Sequence, residues 1–220
     1  MEIVSFVFES SAGGRALGNL RLGCLASHGG TNVSAIVDAC KQGQLNARVC
    51  VVIANNSDSM ALERARFERI HRYHLSSATH PDPEQLDMAI LDALRANKVD
   101  LVLLAGYMKK LGPKTLVAFP NRILNIHPAL LPRYSGKGMY GRFVHEAVLE
   151  AGDNETGVTI HLVDEEYDHG PIVAQVKVPV FDSDKVESLS ARVSEHEHQL
   201  YIETLQKITQ GEIDLGEIRK

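Results

Sequence analysis

Apolar residues fall along this chain in two alternating rhythms. Residues 20–27, LRLGCLAS, form a nearly continuous apolar run of strand length, whereas 32–42, NVSAIVDACKQ, carry the wider apolar spacing of a helix. The alternation repeats, with RVCVVIAN (48–55) reading as a strand, MALERARFERI (60–70) as a helix and RYHL (72–75) as a weaker third strand. After a loop, SSATHPDP (76–83), the stretch EQLDMAILDALRANK (84–98) puts Leu86, Ile90, Leu91 and Leu94 on one helical stripe. DLVLLAG (100–106) and RILNI (122–126) follow as strands, separated by a short helix expected to start at Pro113, since proline suits the first helical position. Strands that alternate with helices need crossover connections, which predicts an α/β fold around a mostly parallel sheet.

The rhythm changes after Ser135. YGRFVHEAVLEAG (140–152) is an amphipathic helix, GVTIHLVDE (157–165) and IVAQVKVPVF (172–181) are strands close enough to pair antiparallel, and 184–211 read as one long terminal helix. No repeat, low-complexity tract or linker divides the chain, so a single domain is expected over 20–220, preceded by an N-terminal extension over 1–19.

Composition narrows the classes. The 220 residues are 44% hydrophobic and 23% charged, as expected of an ordinary globular core. With a formal net charge of -5 and no long Lys/Arg run, an extended electrostatic grip on nucleic acid is not expected. Cys24, Cys40 and Cys50 are odd in number, lie in apolar segments and form no C-x-x-C, which predicts buried thiols in a reducing compartment. The N-terminus has no basic n-region, and no apolar stretch reaches the roughly 18 residues of a membrane span. The expectation is a cytoplasmic protein without membrane contact.

Four places could carry chemistry. SHGGTNVSAI (27–36) is a Gly-rich turn leading from a strand into a helix, where free N–H groups and the positive end of the helix dipole suit a phosphate. It lacks the P-loop lysine and full G-x-G-x-x-G spacing, so neither ATP nor a dinucleotide is indicated, and a plain tight turn capped by Asn32 is the alternative. In NIHPALLPRYSG (125–136), Asn125 and His127 are two apart on a strand and therefore share a face, and Pro128 restricts His127. Together they can stabilise an oxyanion and pass a proton, or simply be a hydrogen-bonded strand end. In HLVDEEYDHG (161–170), His161 is equally a satisfied core histidine or a participant, and Asp168 belongs to an acidic run that is usually just solvated. Lastly, Glu197 sits at the border of the apolar stripe of Val186, Leu189, Val193 and Leu200, where a carboxylate needs partners. His196 and His198 diverge on that helix, and no metal signature stands elsewhere.

Taken together, NIHPALLPRYSG followed by GVTIHLVDEEYDHGPIVAQVKVPV resembles the folate-dependent phosphoribosylglycinamide formyltransferases of purine biosynthesis, over about Leu20 to Gln210. The resemblance implies a three-layer α/β formyltransferase fold with a Rossmann-like N-terminal half and an antiparallel strand added in the C-terminal half. It implies Asn125, His127 and Asp168 as catalytic residues, with Asp168 keeping His127 protonated. Gly30, Thr31 and Asn32 would hold the phosphate of glycinamide ribonucleotide, and Glu197 its ribose hydroxyls. Met108, Lys109, Lys110, Leu111, Asn125, Val163, Asp164 and Asp168 would line the pocket of 10-formyltetrahydrofolate, the co-substrate, with no metal. Small-molecule partners and a monomer or homodimer follow. A formyltetrahydrofolate deformylase, with water as acceptor, and a non-catalytic phosphate-binding module are the alternatives.

Overall fold

The computed structural model describes residues 4–6 and 19–218. In chain order its elements are β1 (Val4–Phe6), β2 (Leu20–Ala26), α1 (Thr31–Lys41), β3 (Ala47–Ala54), α2 (Met60–Phe67), β4 (His71–His74), α3 (Pro83–Ala96), β5 (Leu101–Leu104), α4 (Pro113–Ala118), β6 (Ile123–His127), α5 (Arg142–Glu150), β7 (Glu155–Leu162), β8 (Ile172–Pro179) and α6 (Val186–Gln210). The strands form one eight-stranded sheet in the order β1-β8-β7-β6-β5-β2-β3-β4. Strands β2 to β6 pair in parallel; β7 pairs antiparallel with both β6 and β8. Thus β8 points the same way as the parallel set, and β7 is the antiparallel strand added in the C-terminal half.

Alternation of side chains along the strands splits the core between two faces. Leu22, Cys24, Val52, Leu103 and Leu124 pack with residues of α1, α2, α5 and α6, whereas Leu25, Val51, Ile53, Val102 and Ile123 pack with those of α3 and α4. The result is three layers. The chain runs from β2 outward through β3 to β4, then returns to build β5 and β6 on the other side of β2. The loops leaving β2 and β5 therefore diverge, and such a reversal opens a crevice at the carboxyl ends of the strands.

Three details differ from the sequence reading. Residues 4–6 of the expected extension join the sheet as an edge strand, with Val4 opposite Val176; positions 1–3 and 7–18 lie outside the described residues. Pro83 belongs to the first turn of α3, not to the loop, because Asp82 caps the helix by accepting from Glu84 N at 2.8 Å. Asp87, which the apolar stripe of α3 gave no reason to expect inside, is buried. It accepts from Lys114 N (2.8 Å), Thr115 N (3.1 Å) and Thr115 Oγ1 (2.6 Å), so α3 supplies from outside the cap that α4 does not supply itself.

Candidate active site

Strand β6 ends the parallel set, and its last residues carry the polar pair. Pairing with β7 sets His161 directly opposite Asn125 and Thr159 opposite His127. Asn125 Nδ2 lies 3.0 Å from His161 Nε2 and 3.4 Å from Asp168 Oδ1. His161 Nδ1 is 2.8 Å from Leu162 O; a carbonyl only accepts, so Nδ1 carries a proton and Nε2 accepts from Asn125 Nδ2. The loop after β7 turns back through Asp168 (φ 54°), whose carboxylate comes to within 3.4 Å of Asn125 Nδ2. Gly136 N donates to Asp168 Oδ2 at 3.0 Å. His127 Nε2 donates to Tyr134 O at 2.7 Å by the same reasoning, leaving Nδ1 to face Asp168 Oδ1 at 3.6 Å.

Burial sets the charge states. His127 is 3% exposed, and its desolvation lowers its pKa below the usual imidazole value. Asp168 and the bond to Tyr134 O pull the other way without recovering the loss, and His161 lowers it further. The expectation that Asp168 holds His127 protonated is therefore corrected: near neutral pH the buried ring is neutral. Burial also pushes Asp168 upward, but the nearby His161 and His127 rings and the Gly136 N–H outweigh it and hold the carboxylate below its ordinary range. The pair is thus an anion beside a neutral imidazole with a free Nδ1 lone pair.

A second cluster lies at the start of α1. Gly30 is the N-cap in left-handed conformation (φ 66°), and a Cβ there would meet Ala61 Cβ at 2.6 Å, so glycine is required twice over. The alternative in which Asn32 caps the helix is not realised: α1 has no side-chain cap, which leaves its first N–H groups without one. Asn32 instead donates through Nδ2 to Glu197 Oε2 at 3.3 Å. Helix α6 holds Glu197 there by anchoring the next turn, where fully buried Tyr201 donates to Leu104 O at 3.0 Å. Burial raises the Glu197 carboxyl to about 7, with Asn32 offsetting part of the rise.

A cavity of about 530 Å³ joins the two clusters. Gly30, Thr31, Asn32, Glu197, Met108, Lys109, Lys110, Leu111, Asn125, His127, Val163, Asp164 and Asp168 all line it, so every candidate named from the sequence reaches one crevice. Lys109 and Lys110 are exposed at its rim, whereas Leu111 is buried. Ser27 Oγ accepts from Met108 N at 2.8 Å, tying the loop after β5 to the end of β2.

The matching family model, described as formyl transferase, spans residues 20–205. The chain belongs to the formyl transferase family. Among members, a phosphoribosylglycinamide formyltransferase of Haemophilus influenzae is 42% identical over 195 residues, covering 89% of this chain and 90% of that one. Glycinamide ribonucleotide transformylase 1 from Symbiobacterium toebii superposes with a TM-score of 0.82 at 41% identity, covering 88% of this chain and 89% of its own. A formyltetrahydrofolate deformylase of Pseudomonas syringae shares the fold at a TM-score of 0.78, but at 23% identity and over 63% of its length. As in any formyl transferase, the chemistry here is that of an enzyme moving a one-carbon unit.

Sequence reasoning left His161 undecided, yet it is buried and bonded to Asn125. The available signal was its i, i+2 relation to Thr159, itself opposite His127. Tyr107, Met139 and Tyr140 also line the cavity and were not anticipated there. The exposed Tyr140 ring meets Phe143 edge to face at 5.4 Å, in a segment whose pattern showed only an amphipathic helix.

Proposed function

We propose that this chain transfers the formyl group of 10-formyltetrahydrofolate to the primary amine of glycinamide ribonucleotide, giving formylglycinamide ribonucleotide and tetrahydrofolate in purine biosynthesis. One observation carries the reading: Asn125, His127 and Asp168 meet in a crevice that is also lined by an uncapped helix N-terminus and by a mixed apolar and lysine-bearing wall. The phosphate suits the turn at Gly30, Thr31 and Asn32, and Glu197 accepts from the ribose hydroxyls. The folate lies along Met108 to Leu111 and Val163 to Asp168. We read the protein as cytoplasmic and as a monomer or homodimer.

The amine attacks the formyl carbon, forming the new C–N bond while the carbonyl electrons move onto oxygen. Asn125 Nδ2 stabilises that oxyanion with the N–H that makes the longer contact to Asp168, since a developing negative charge competes well for a loosely held donor. Neutral His127 takes the ammonium proton at Nδ1, and anionic Asp168 stabilises the resulting imidazolium. The proton then goes to the folate nitrogen as its bond to carbon breaks and the carbonyl re-forms. No covalent enzyme intermediate is needed. The test is release of tetrahydrofolate from 10-formyltetrahydrofolate by purified protein with and without glycinamide ribonucleotide. Dependence on the ribonucleotide supports the transferase; equal release without it would make water the acceptor and replace this reading.

A further inference from the structure

We infer that His28 is a specificity-determining residue that donates its Nδ1–H to the substrate's phosphate dianion, its ring held in place by an N–H of Asn56 directed at Nε2. This rests on the assignment of the turn at Gly30, Thr31 and Asn32 to the phosphate, and deepens it. The support is a chain of donors and acceptors. Asn56 Nδ2 is 2.7 Å from Ser27 O, a carbonyl that can only accept, which fixes which end of the Asn56 amide carries the N–H groups. The same Nδ2 is 3.1 Å from His28 Nε2. Its second N–H therefore points at Nε2, which accepts, so the ring's N–H is on Nδ1.

The residue is also braced from below. Ser59, buried at the N-cap of α2, donates through Oγ to His28 O at 2.8 Å. Ring and backbone are thus both held by the β3–α2 connection. Among the described residues, no protein group bonds to His28 Nδ1. His28 lines the cavity directly before Gly29 and Gly30, where a Cβ on Gly29 would meet nothing within 4 Å, so there is room for a phosphate against the ring. Asn32, 6% exposed, lines the same cavity. A tautomer fixed in advance presents its donor without reorganisation.

The shape of the substitution tests it. Asn places its amide N–H where Nδ1 stands, whereas Gln reaches toward Nε2. The KM for glycinamide ribonucleotide should rise about tenfold in His28→Ala and His28→Gln, the loss of one charge-assisted hydrogen bond, and stay within about twofold of the parent in His28→Asn. The KM for 10-formyltetrahydrofolate, measured alongside, should be unchanged in all three, which separates a lost contact from a damaged fold. With the dephosphorylated riboside as acceptor, the difference between the parent and the variants should vanish. Equal behaviour of the Asn and Gln variants, or a parent-like KM in His28→Ala, overturns the role of His28 while leaving the phosphate turn intact. A parent enzyme that uses riboside and ribonucleotide equally well overturns the phosphate assignment itself, and this inference with it.

Discussion

Replacing Glu197 with Gln should stabilise the protein and impair its binding of substrate, both by amounts that depend on pH. The carboxyl is raised from 4.5 to about 7, first by burial on α6, with Asn32 offsetting part of that rise. A shift of about 2.5 units corresponds to about 3 kcal/mol at 1.36 kcal/mol per unit. Glu197 is partly open to the cavity, so solvent reduces the usable figure to about 2 kcal/mol. The folded protein keeps this proton up to about pH 7, whereas the unfolded chain releases it near 4.5. Between those values the native state binds more protons, so stability falls as pH rises, and above pH 7 the whole penalty applies. Gln carries no such penalty and keeps an oxygen for the Asn32 Nδ2 donor. Urea unfolding should therefore show Glu197→Gln more stable by about 2 kcal/mol at pH 8 and by less than about 1 kcal/mol at pH 5. The KM for the ribonucleotide should rise in the same variant, because half of the amide donates where a carboxylate only accepts. A gain equal at both pH values, or a loss at pH 8, would refute the claim that a buried charge is the cause.

Other outcomes follow from the same geometry. Turnover should fall by about a hundredfold or more in His127→Ala and in Asp168→Ala, with ribonucleotide affinity little changed, and near-normal rates in both would sink the assignment. The acid limb of kcat/KM should lie below pH 6.5, since burial lowers His127, and Asp168→Asn should move it lower still by removing the group that pulls it up; a limb above pH 6.5 contradicts the neutral ground state. His145, buried on α5, is lowered to about 4 by desolvation and by His127, so its folded form resists protonation. The unfolded chain binds that proton first, and the parent should lose about 3 kcal/mol between pH 6.5 and 4 that His145→Leu does not lose, as read by urea unfolding. Asp87→Ala leaves two N–H groups at the start of α4 without their acceptor, and the Thr115 hydroxyl with only the residue-87 carbonyl at 3.4 Å, and should cost about 3 kcal/mol, visible as a lower Tm; an unchanged Tm would mean water replaces the carboxylate.

What could be read along the chain was what local periodicity encodes. The strand and helix alternation from Leu20 to Ile126 fixed a parallel α/β core, and the i, i+2 spacing of Asn125 and His127 fixed their common face. Pro113 and the stripe of Leu86, Ile90, Leu91 and Leu94 gave α4 and α3 for the same reason: helix geometry relates residues three or four apart. Asp168 was different. Nothing local distinguishes it from Asp164, Glu165 and Glu166, and only family resemblance singled it out before the fold brought it to within 3.6 Å of His127.

The remainder was decided by contacts between residues far apart in sequence. Gly30, and not Asn32, caps the start of α1, where α2 packs Ala61 against the turn, and Asn32 is then available to Glu197, 165 residues later. Asp87 is buried because α4 needs its cap, Val4 to Phe6 join the sheet because β8 offers an edge, and His161 is part of the site because β7 registers it against Asn125. Most of all, the charge on His127 depends on a balance between burial and Asp168 that neither residue reports alone. Sequence determined which residues could do the chemistry, since side-chain type and short-range spacing are local. Tertiary structure decided their protonation, their tautomers and their company, because desolvation and hydrogen bonding depend on everything packed around them.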